Sequence, residues 1–367
     1  MSQEKHLFSK LARASVRSEK LTRPRWSEAA ARDEMLMWLD KNENSDPELH
    51  GLTERLLKTL PMSLAYTYPE LGKLYHKLAR WVGVDVNQVV LTAGSDGAIR
   101  SVFEAFIDPG DLVAHTAPTF AMYPVYTQMY GATALPLSYQ AGAKGPELGV
   151  ASILDCLRSK KPKLLCLPNP DSPTGTVFEP SELRAILDQA LSSGVLVLID
   201  EAYHPFYPIS VVEWIDSYPN LMVARTFAKA WGIAGARVGY AVAGRDLADL
   251  IHKVRPMYEV GTIGAALAER MLDFPEAMQA AVDRLNAGKT YFLTEMERLG
   301  FSGLRSHGNF CHVAFGTAAE KVHQALKPVV LYRRDTPDGC LRGYSRFSAA
   351  PEEQFEPIVA AIQRAVS

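Results

Sequence analysis

A lysine, Lys229, lies in the run Arg225-Thr226-Phe227-Ala228-Lys229-Ala230-Trp231-Gly232, and Arg237 follows a second glycine and leads into another apolar run. An amine at the mouth of a buried pocket loses solvation. Its pKa falls and it becomes free to attack a carbonyl and form a Schiff base. Taken alone, such a lysine is more often a solvated loop residue. A second segment changes the reading: Val195-Leu196-Val197-Leu198-Ile199 runs directly into Asp200, Glu201, Ala202 and Tyr203. Consecutive apolar residues without alternation read as a parallel strand buried on both faces. Asp200 then falls at the strand's carboxyl end, where open α/β sheets bind ligands. A carboxylate there can keep a ring nitrogen protonated, Tyr203 can donate to a phenolate-like oxygen, and Lys229 can form an imine. An acid, a phenol and an amine so arranged are the partners that pyridoxal phosphate requires.

A phosphate needs its own cradle. Val89-Val90-Leu91-Thr92 followed by Ala93-Gly94-Ser95-Asp96-Gly97 puts a glycine turn at a helix start. Backbone amides and the positive helix end make an anion site there. Ser95 adds a hydroxyl, although Ser95 or Asp96 would serve equally as an ordinary N-cap. Arg237 supplies a guanidinium suited to a phosphate dianion, and Thr226 a further donor.

These segments, with Leu39-Asp40-Lys41-Asn42-Glu43-Asn44, Tyr68-Pro69-Glu70, Pro118-Thr119-Phe120-Ala121-Met122-Tyr123 and Pro173-Thr174-Gly175, resemble those of fold-type I pyridoxal-phosphate enzymes. The resemblance is to the branch of class I/II aminotransferases that contains histidinol-phosphate aminotransferases, and it spans nearly the whole chain, from Leu39 to Pro351. It implies pyridoxal 5′-phosphate held through Gly94, Ser95, Asp96, Thr226 and Arg237, with Phe120 stacked on the ring. Asp200 would meet the ring nitrogen, Tyr203 the ring oxygen, and Lys229 the aldehyde. It also implies a homodimer with shared active sites, in which Tyr68 reaches the partner's phosphate. Two positions depart from the family pattern. Ala228 stands where the family has serine, which removes one phosphate donor. Ser172 stands where the family has the asparagine that donates to the ring oxygen. Either Ser172 donates through a water, or Asn169 takes over.

An amino-acid substrate needs its carboxylate held, and a bidentate arginine does this best. Arg342-Gly343-Tyr344-Ser345-Arg346-Phe347-Ser348 resembles the family's arginine strand before its last helix. Two registers compete, and Arg346 is preferred over Arg342 because it needs the shorter gap. Arg334, beside Arg333, lies near the position where histidinol-phosphate aminotransferases bind the substrate phosphate. The implied activity moves an amino group between an L-amino acid, or an amino-phosphate such as histidinol phosphate, and a 2-oxo acid. A decarboxylase of phosphorylated amino acids on the same fold is one alternative; it depends on which Cα bond stands perpendicular to the ring. A catalytically silent binding protein is another, opposed by the intact Asp200, Tyr203, Lys229 and Arg237.

The remainder of the chain has to position these groups. Its 367 residues, 47% hydrophobic and 22% charged, fit a two-domain globular protein. A net charge of −2 gives no electrostatic footprint for nucleic acid or a membrane surface. The four scattered cysteines suggest reduced thiols, a cytoplasmic protein and no metal site. Apolar runs at 89–92, 112–115, 132–136, 164–167, 195–199, 222–225 and 238–242 alternate with helical patterns. This predicts an α/β fold with a large domain built on a mostly parallel seven-stranded sheet, plus a smaller α+β domain; the resemblance implies that the large domain is of the aspartate aminotransferase type. The expected division is 1–60 as arm and part of the small domain, 61–265 as the large cofactor-binding domain and 266–367 as the small domain. Within the last part, a helical stretch over 263–299 is interrupted at Pro275, followed by a strand at 310–315 and helices at 318–326 and 351–366. The basic segment through Trp26 reads as a partly helical arm, and the resemblance implies that it lies across a dimer partner.

Overall fold

In the computed structural model, which describes residues 8–28, 31–337 and 339–367, the first seven long strands form one sheet. They are β1 (Val89–Thr92), β2 (Leu112–Ala117), β3 (Thr133–Ser138), β4 (Leu164–Pro168), β5 (Leu196–Asp200), β6 (Leu221–Thr226) and β7 (Gly239–Ala243). Their spatial order is β1-β7-β6-β5-β4-β2-β3. All neighbours are parallel except β7, which runs antiparallel to both β1 and β6. Alternate residues feed two separate cores. Leu165, Leu167, Val197, Ile199 and Val223 enter one, while Leu164, Cys166, Leu198, Met222 and Ala224 enter the other. That is why these strands read as unbroken apolar runs: both faces are covered. The expected strand positions hold, with ends shifted by one or two residues.

β5 is the central strand, and its carboxyl end delivers Asp200 opposite Pro168 of β4. β6 ends beside it at Thr226, which pairs with Gly239 of β7. The contact between β7 and the loop after β1 is very close. A Cβ added at Gly239 would lie 2.3 Å from the Gly94 carbonyl carbon and 2.6 Å from the Ser95 nitrogen. Only a glycine lets the 93–95 turn rest against this strand. Gly94 itself has φ +77°, where side chains are strained.

Side chains next to Asp200 and Thr226 in sequence point the other way. Glu201 and Arg225 meet there in a buried ion pair of 2.8 Å. Arg225 also donates to Ser210 Oγ at 2.6 Å, and Glu201 accepts the Val211 amide at 2.8 Å. The pair ties the end of β5 to β6 from the side opposite the cleft.

A second sheet of three antiparallel strands, β8 (Ser302–Arg305), β9 (Phe310–Ala314) and β10 (Tyr344–Ser348), lies in the order β8-β9-β10. Helices Pro275–Arg298, Ala319–Leu326 and Glu352–Val366 accompany it around a core that includes Phe292, Phe347 and Phe355. The single interrupted helix expected over 263–299 is two, Thr262–Met271 and Pro275–Arg298. Pro275 starts the second helix, at a position where its missing N–H costs nothing. β8 has no counterpart among the expected strands: Ser302-Gly303-Leu304-Arg305 offers one large apolar residue and so little hydrophobic signal. Before the large sheet, Met37–Trp38 pairs with Val330–Leu331 beside the second sheet. Helix Pro47–Lys58 instead sends Leu49 and Leu52 into the large-sheet core.

The described part of the basic arm makes contacts within its own chain. Ser15 Oγ donates to Met129 O at 2.8 Å, and Arg23 reaches Met122. The first seven residues of that arm lie outside the described residues. Among the described residues, no helix is long and apolar enough to cross a membrane.

The ion pair behind the cleft gives a stability test. Removing one partner of a buried pair leaves the other charge uncompensated, at about 3–5 kcal/mol. Glu201→Ala should lower the chemical-denaturation midpoint accordingly, while an exposed-pair variant such as Glu28→Ala should leave it in place.

Candidate active site

The carboxyl ends of β4, β5 and β6, the turn after β1 and the inner edge of the second sheet enclose a cleft of about 330 Å³. That volume suits a small ligand. Lys41, Asn42, Ser95, Asp96, Phe120, Ser172, Asp200, Tyr203, Thr226, Lys229, Arg237, Arg333 and Arg346 are among the residues lining it.

Lys229 is half-buried, three residues beyond the end of β6. Its Nζ donates to Asn42 O at 2.8 Å and Lys41 O at 3.2 Å. Burial, with the Arg346 and Arg237 guanidinium groups nearby, lowers its pKa to about 8, against smaller opposing effects of Glu43 and Asp200. The amine is therefore neutral over a range in which an ordinary lysine is charged.

Asp200 is buried, and burial lifts its carboxyl to about 6. Two donors work against that shift: Tyr123 Oη, at 3.0 Å from Oδ2, and the Ala202 amide, at 3.0 Å from Oδ1. Tyr203 accepts a bond from Asn42 Nδ2 at 2.9 Å and is hydrogen-bonded to Ser172. Burial raises its phenol above the usual value, while Arg346, Ser172 and Asn42 oppose the rise.

At one end of the cleft, helix Gly94–Phe106 begins without a side-chain cap. Arg237 lies over this turn. Its Nη2 would be 2.7 Å from a Cβ on Gly94, and it donates to Ala93 O and Ala234 O at 3.2 Å each. It makes no ion pair among the described residues. A guanidinium beside free helix-start amides and the Ser95 hydroxyl is the donor set for a phosphate dianion. Asp96, whose carboxyl burial raises, is held by Tyr126 Oη at 3.0 Å.

At the other end, Arg346 of β10 lies 5.6 Å above the Phe310 ring and donates to Asp40 O at 3.0 Å. Its Nε is buried and has no hydrogen-bond partner among the described residues. Arg333 pairs with Arg346 through both backbones and donates to the same Asp40 carbonyl at 3.1 Å. An orphaned guanidinium N–H inside a cleft is unfavourable unless an anion meets it. Asn42 Oδ1 is orphaned likewise.

The structure therefore brings together Gly94, Ser95, Asp96, Phe120, Ser172, Asp200, Tyr203, Thr226, Lys229, Arg237 and Arg346. Four expected residues lie elsewhere. Asn169 is tied to Phe178 in both directions, accepting from its amide at 2.8 Å and donating to its carbonyl at 3.4 Å, and does not line the cleft. Of the two candidates for the ring oxygen, only Ser172 lines the cleft. Arg342 is exposed on the loop before β10, outside the cleft. Arg334 is likewise outside, and its neighbour Arg333 takes the inward place because backbone pairing with Arg346 turns that residue to the cleft. Tyr68 is exposed and stacks on Tyr258 at 4.3 Å, away from its own chain's cleft.

Asn42 and Tyr123 carry no role in the expected site, and Arg333 enters it only beside Arg334 as the place of a substrate-phosphate arginine. The signal for Asn42 was its residue type. It holds φ +56°, a conformation that asparagine accepts better than most side chains. Tyr123 follows Phe120 by three residues on a helical pattern, so both reach the same end of the sheet.

A sequence profile described as "Aminotransferase class I and II" matches residues 34–362. "Histidinol-phosphate aminotransferase 2" of Methylococcus capsulatus is 32% identical over 338 residues, covering 89% of each chain. "Histidinol-phosphate aminotransferase 1" of Idiomarina loihiensis is 35% identical over 286 residues, covering 75% of this chain and 76% of that one. Among solved structures, the histidinol-phosphate aminotransferase of Sinorhizobium meliloti in complex with pyridoxal-5′-phosphate superposes with TM-score 0.77. It is 20% identical and covers 90% of both chains. The L-threonine-O-3-phosphate decarboxylase of Porphyromonas gingivalis gives 0.73 at 22% identity, covering 90% of this chain and 99% of that one. At these identities the structures establish a shared fold.

A lowered amine pKa has a direct readout. With Lys229 at about 8 and ordinary lysines near 10.4, reductive alkylation of the cofactor-free protein at pH 8 should label Lys229 ahead of exposed lysines. At about pH 10.5 the advantage should shrink, because exposed lysines are then substantially neutral as well, while at about pH 6 every lysine should react slowly. Peptide mapping that found uniform labelling at pH 8 would contradict the lowered pKa.

Proposed function

The chain belongs to the class I and II aminotransferase family and is a transaminase, and from that premise we propose that it binds pyridoxal 5′-phosphate in this cleft and transfers an amino group from an amino acid or amino-phosphate to a 2-oxo acid. The observation that carries the proposal is the meeting of a weakly basic Lys229 and a buried Asp200 in one cleft, with anion donors at both ends. When bound, the cofactor supplies an aldehyde that exchanges amino groups and a ring that delocalises negative charge from the substrate Cα.

The chain's own groups have distinct tasks. The 94–96 amides, the Ser95 hydroxyl and Arg237 hold the phosphate. With Ala228 offering no hydroxyl, Ser95 and Thr226 carry the remaining side-chain donation. Phe120 lies against a ring face. A cationic ring nitrogen beside Asp200 would return that carboxyl to its ionised form, because opposite charge offsets the burial that raised it. Asp200 then keeps the nitrogen protonated. Tyr203, oriented by Asn42 and Ser172, donates to the ring oxygen. Lys229 Nζ, its pKa lowered to about 8, takes the proton from the substrate Cα in its neutral form and returns it to the acceptor carbon. Arg346 holds the α-carboxylate through the N–H that has no partner among the described residues. Arg333, paired directly with Arg346 across the backbone bridge, adds a second positive group at the mouth. This pair and the names of the relatives support a substrate carrying a phosphate at that end, such as histidinol phosphate, whose phosphate ester stands where an amino acid has its carboxylate.

The functional unit is a homodimer. Met62, Tyr66, Tyr68, Met257 and Tyr258 are exposed aromatic and sulfur-containing side chains on neighbouring loops. Such a patch marks a protein interface, and it puts Tyr68 on the surface that would face a partner's cleft.

The purified holoenzyme should absorb in the visible, and borohydride should fix the cofactor to Lys229. Lys229→Ala should abolish turnover while the protein stays folded; fixation to another lysine, or to none, would sink the assignment. For Arg346→Ala, losing one partner of a buried charge pair costs about 2–5 kcal/mol. A roughly thirty- to several-thousand-fold fall in kcat/KM is therefore expected, at about 1.4 kcal/mol per decade. Arg342→Ala is the mild control. The opposite ranking in steady-state kinetics would move the carboxylate anchor to Arg342.

A further inference from the structure

His312 is the least expected group near the cleft. It lies on β9, paired with Arg346 on β10, so both side chains leave the sheet on the same face. Phe310, two residues earlier, shares that face. The three rings form one stack of contacts: Phe310 meets His312 at 5.5 Å and Tyr203 at 5.4 Å, and Arg346 lies over Phe310.

The imidazole is 1% exposed, and its Nδ1 has no hydrogen-bond partner among the described residues. The other ring nitrogen bonds the backbone of Pro173. Proline has no N–H, so the acceptor is its carbonyl and the imidazole must carry the proton on Nε2. Burial and the adjacent Arg346 hold the ring pKa down to about 3, which keeps it neutral. A buried nitrogen without a partner is unfavourable, and an aliphatic side chain would fill the same space without that penalty. The one thing the imidazole does that a hydrocarbon cannot is grip Pro173.

Pro173 directly follows Ser172, the hydrogen-bond partner of Tyr203. The same turn is held once more from the second sheet: the His307 amide donates to Gly175 O at 2.9 Å. That loop is itself fixed by buried Lys289, whose Nζ donates to Ser306 O and Gly308 O at 2.8 Å each.

We propose that His312 is a positioning residue that sets Arg346 and Ser172 relative to one another, coupling the substrate-carboxylate anchor to the hydrogen bonding of Tyr203. The inference rests on the roles given above to Arg346 and Tyr203. His312 touches neither substrate nor cofactor. It acts by fixing the distance between the strand that carries one and the turn that orients the other.

The test uses the holoenzyme. His312→Leu keeps the apolar volume and removes the donor; His312→Gln returns an N–H near the Nε2 position. For His312→Leu, KM for the amino donor should rise about two- to tenfold, as for one neutral hydrogen bond, with kcat changed less. The pH midpoint of the holoenzyme's visible absorbance should move as well, because Ser172 and Tyr203 shift together. His312→Gln should restore both. A His312→Leu enzyme that only melts earlier, with KM and midpoint unchanged, overturns the inference, as does failure of glutamine to rescue. If the leucine variant does not fold, glutamine and asparagine are compared, since the shorter amide falls short of Pro173; equal KM and equal midpoint in those two overturn the coupling. A wild-type protein with no visible band or no amino-donor turnover removes the functional reading itself, a result distinct from a normal wild type with an indifferent His312.

Discussion

Asp200 sits at the carboxyl end of the central strand with no solvent to share its charge. A lone ionised carboxylate in such a place is strongly unfavourable, and the surrounding structure is arranged to offset that. Tyr123 and the Ala202 amide each give it one hydrogen bond, yet its carboxyl remains raised to about 6. What remains is an unmet demand for positive charge directed into the cleft. The parallel strands supply the position, since their carboxyl ends all open on the same side. The next residue, Glu201, faces away and has its own buried partner in Arg225. The strand end is thus fixed from both sides, and the charge that is left uncompensated is the one facing the ligand.

The cations around the cleft show the complementary arrangement. Lys229, Arg237 and Arg346 are near enough that the two arginines lower the lysine's pKa. None of the three has a carboxylate partner within ion-pair distance among the described residues. They are satisfied in part by carbonyls: Asn42 and Lys41 for Lys229, Ala93 and Ala234 for Arg237, Asp40 for Arg346. Carbonyl dipoles orient a cation without neutralising it. The cleft therefore keeps a net attraction for small anions while its side chains stay in fixed directions.

The loop 40–44 does much of that orienting. Asp40 lends one carbonyl to both Arg333 and Arg346. Asn42 accepts from Lys229 and Asn309, donates its amide to Ser348 Oγ, and holds Tyr203 with its side chain. Asn44 donates to Ala230 O. This short segment joins the end of β6, the tyrosine after β5 and the second sheet. A left-handed residue at its centre lets it turn sharply enough to face all three.

By itself, the sequence determined the elements and the chemistry that depends on residue type. Unbroken apolar runs specified a sheet buried on both faces. The position of Asp200 after such a run specified the end of the strand, and Lys229, Tyr203 and Arg237 were identifiable because amines, phenols and guanidinium groups have few substitutes. Only the tertiary structure decided between near neighbours. Arg346 and Arg342 differ by four positions, and Arg333 and Arg334 by one. Backbone pairing with Arg346, a long-range contact absent from local pattern, turns Arg333 inward and leaves Arg334 outside, while Arg342 lies on the loop before β10 begins. The same holds for Ser172 against Asn169, which is drawn off by the Phe178 backbone. Tyr123 and His312 were hidden for a related reason. In sequence they are an aromatic and a histidine in apolar surroundings, and their roles exist only because folding brings Asp200 to one and Pro173 to the other.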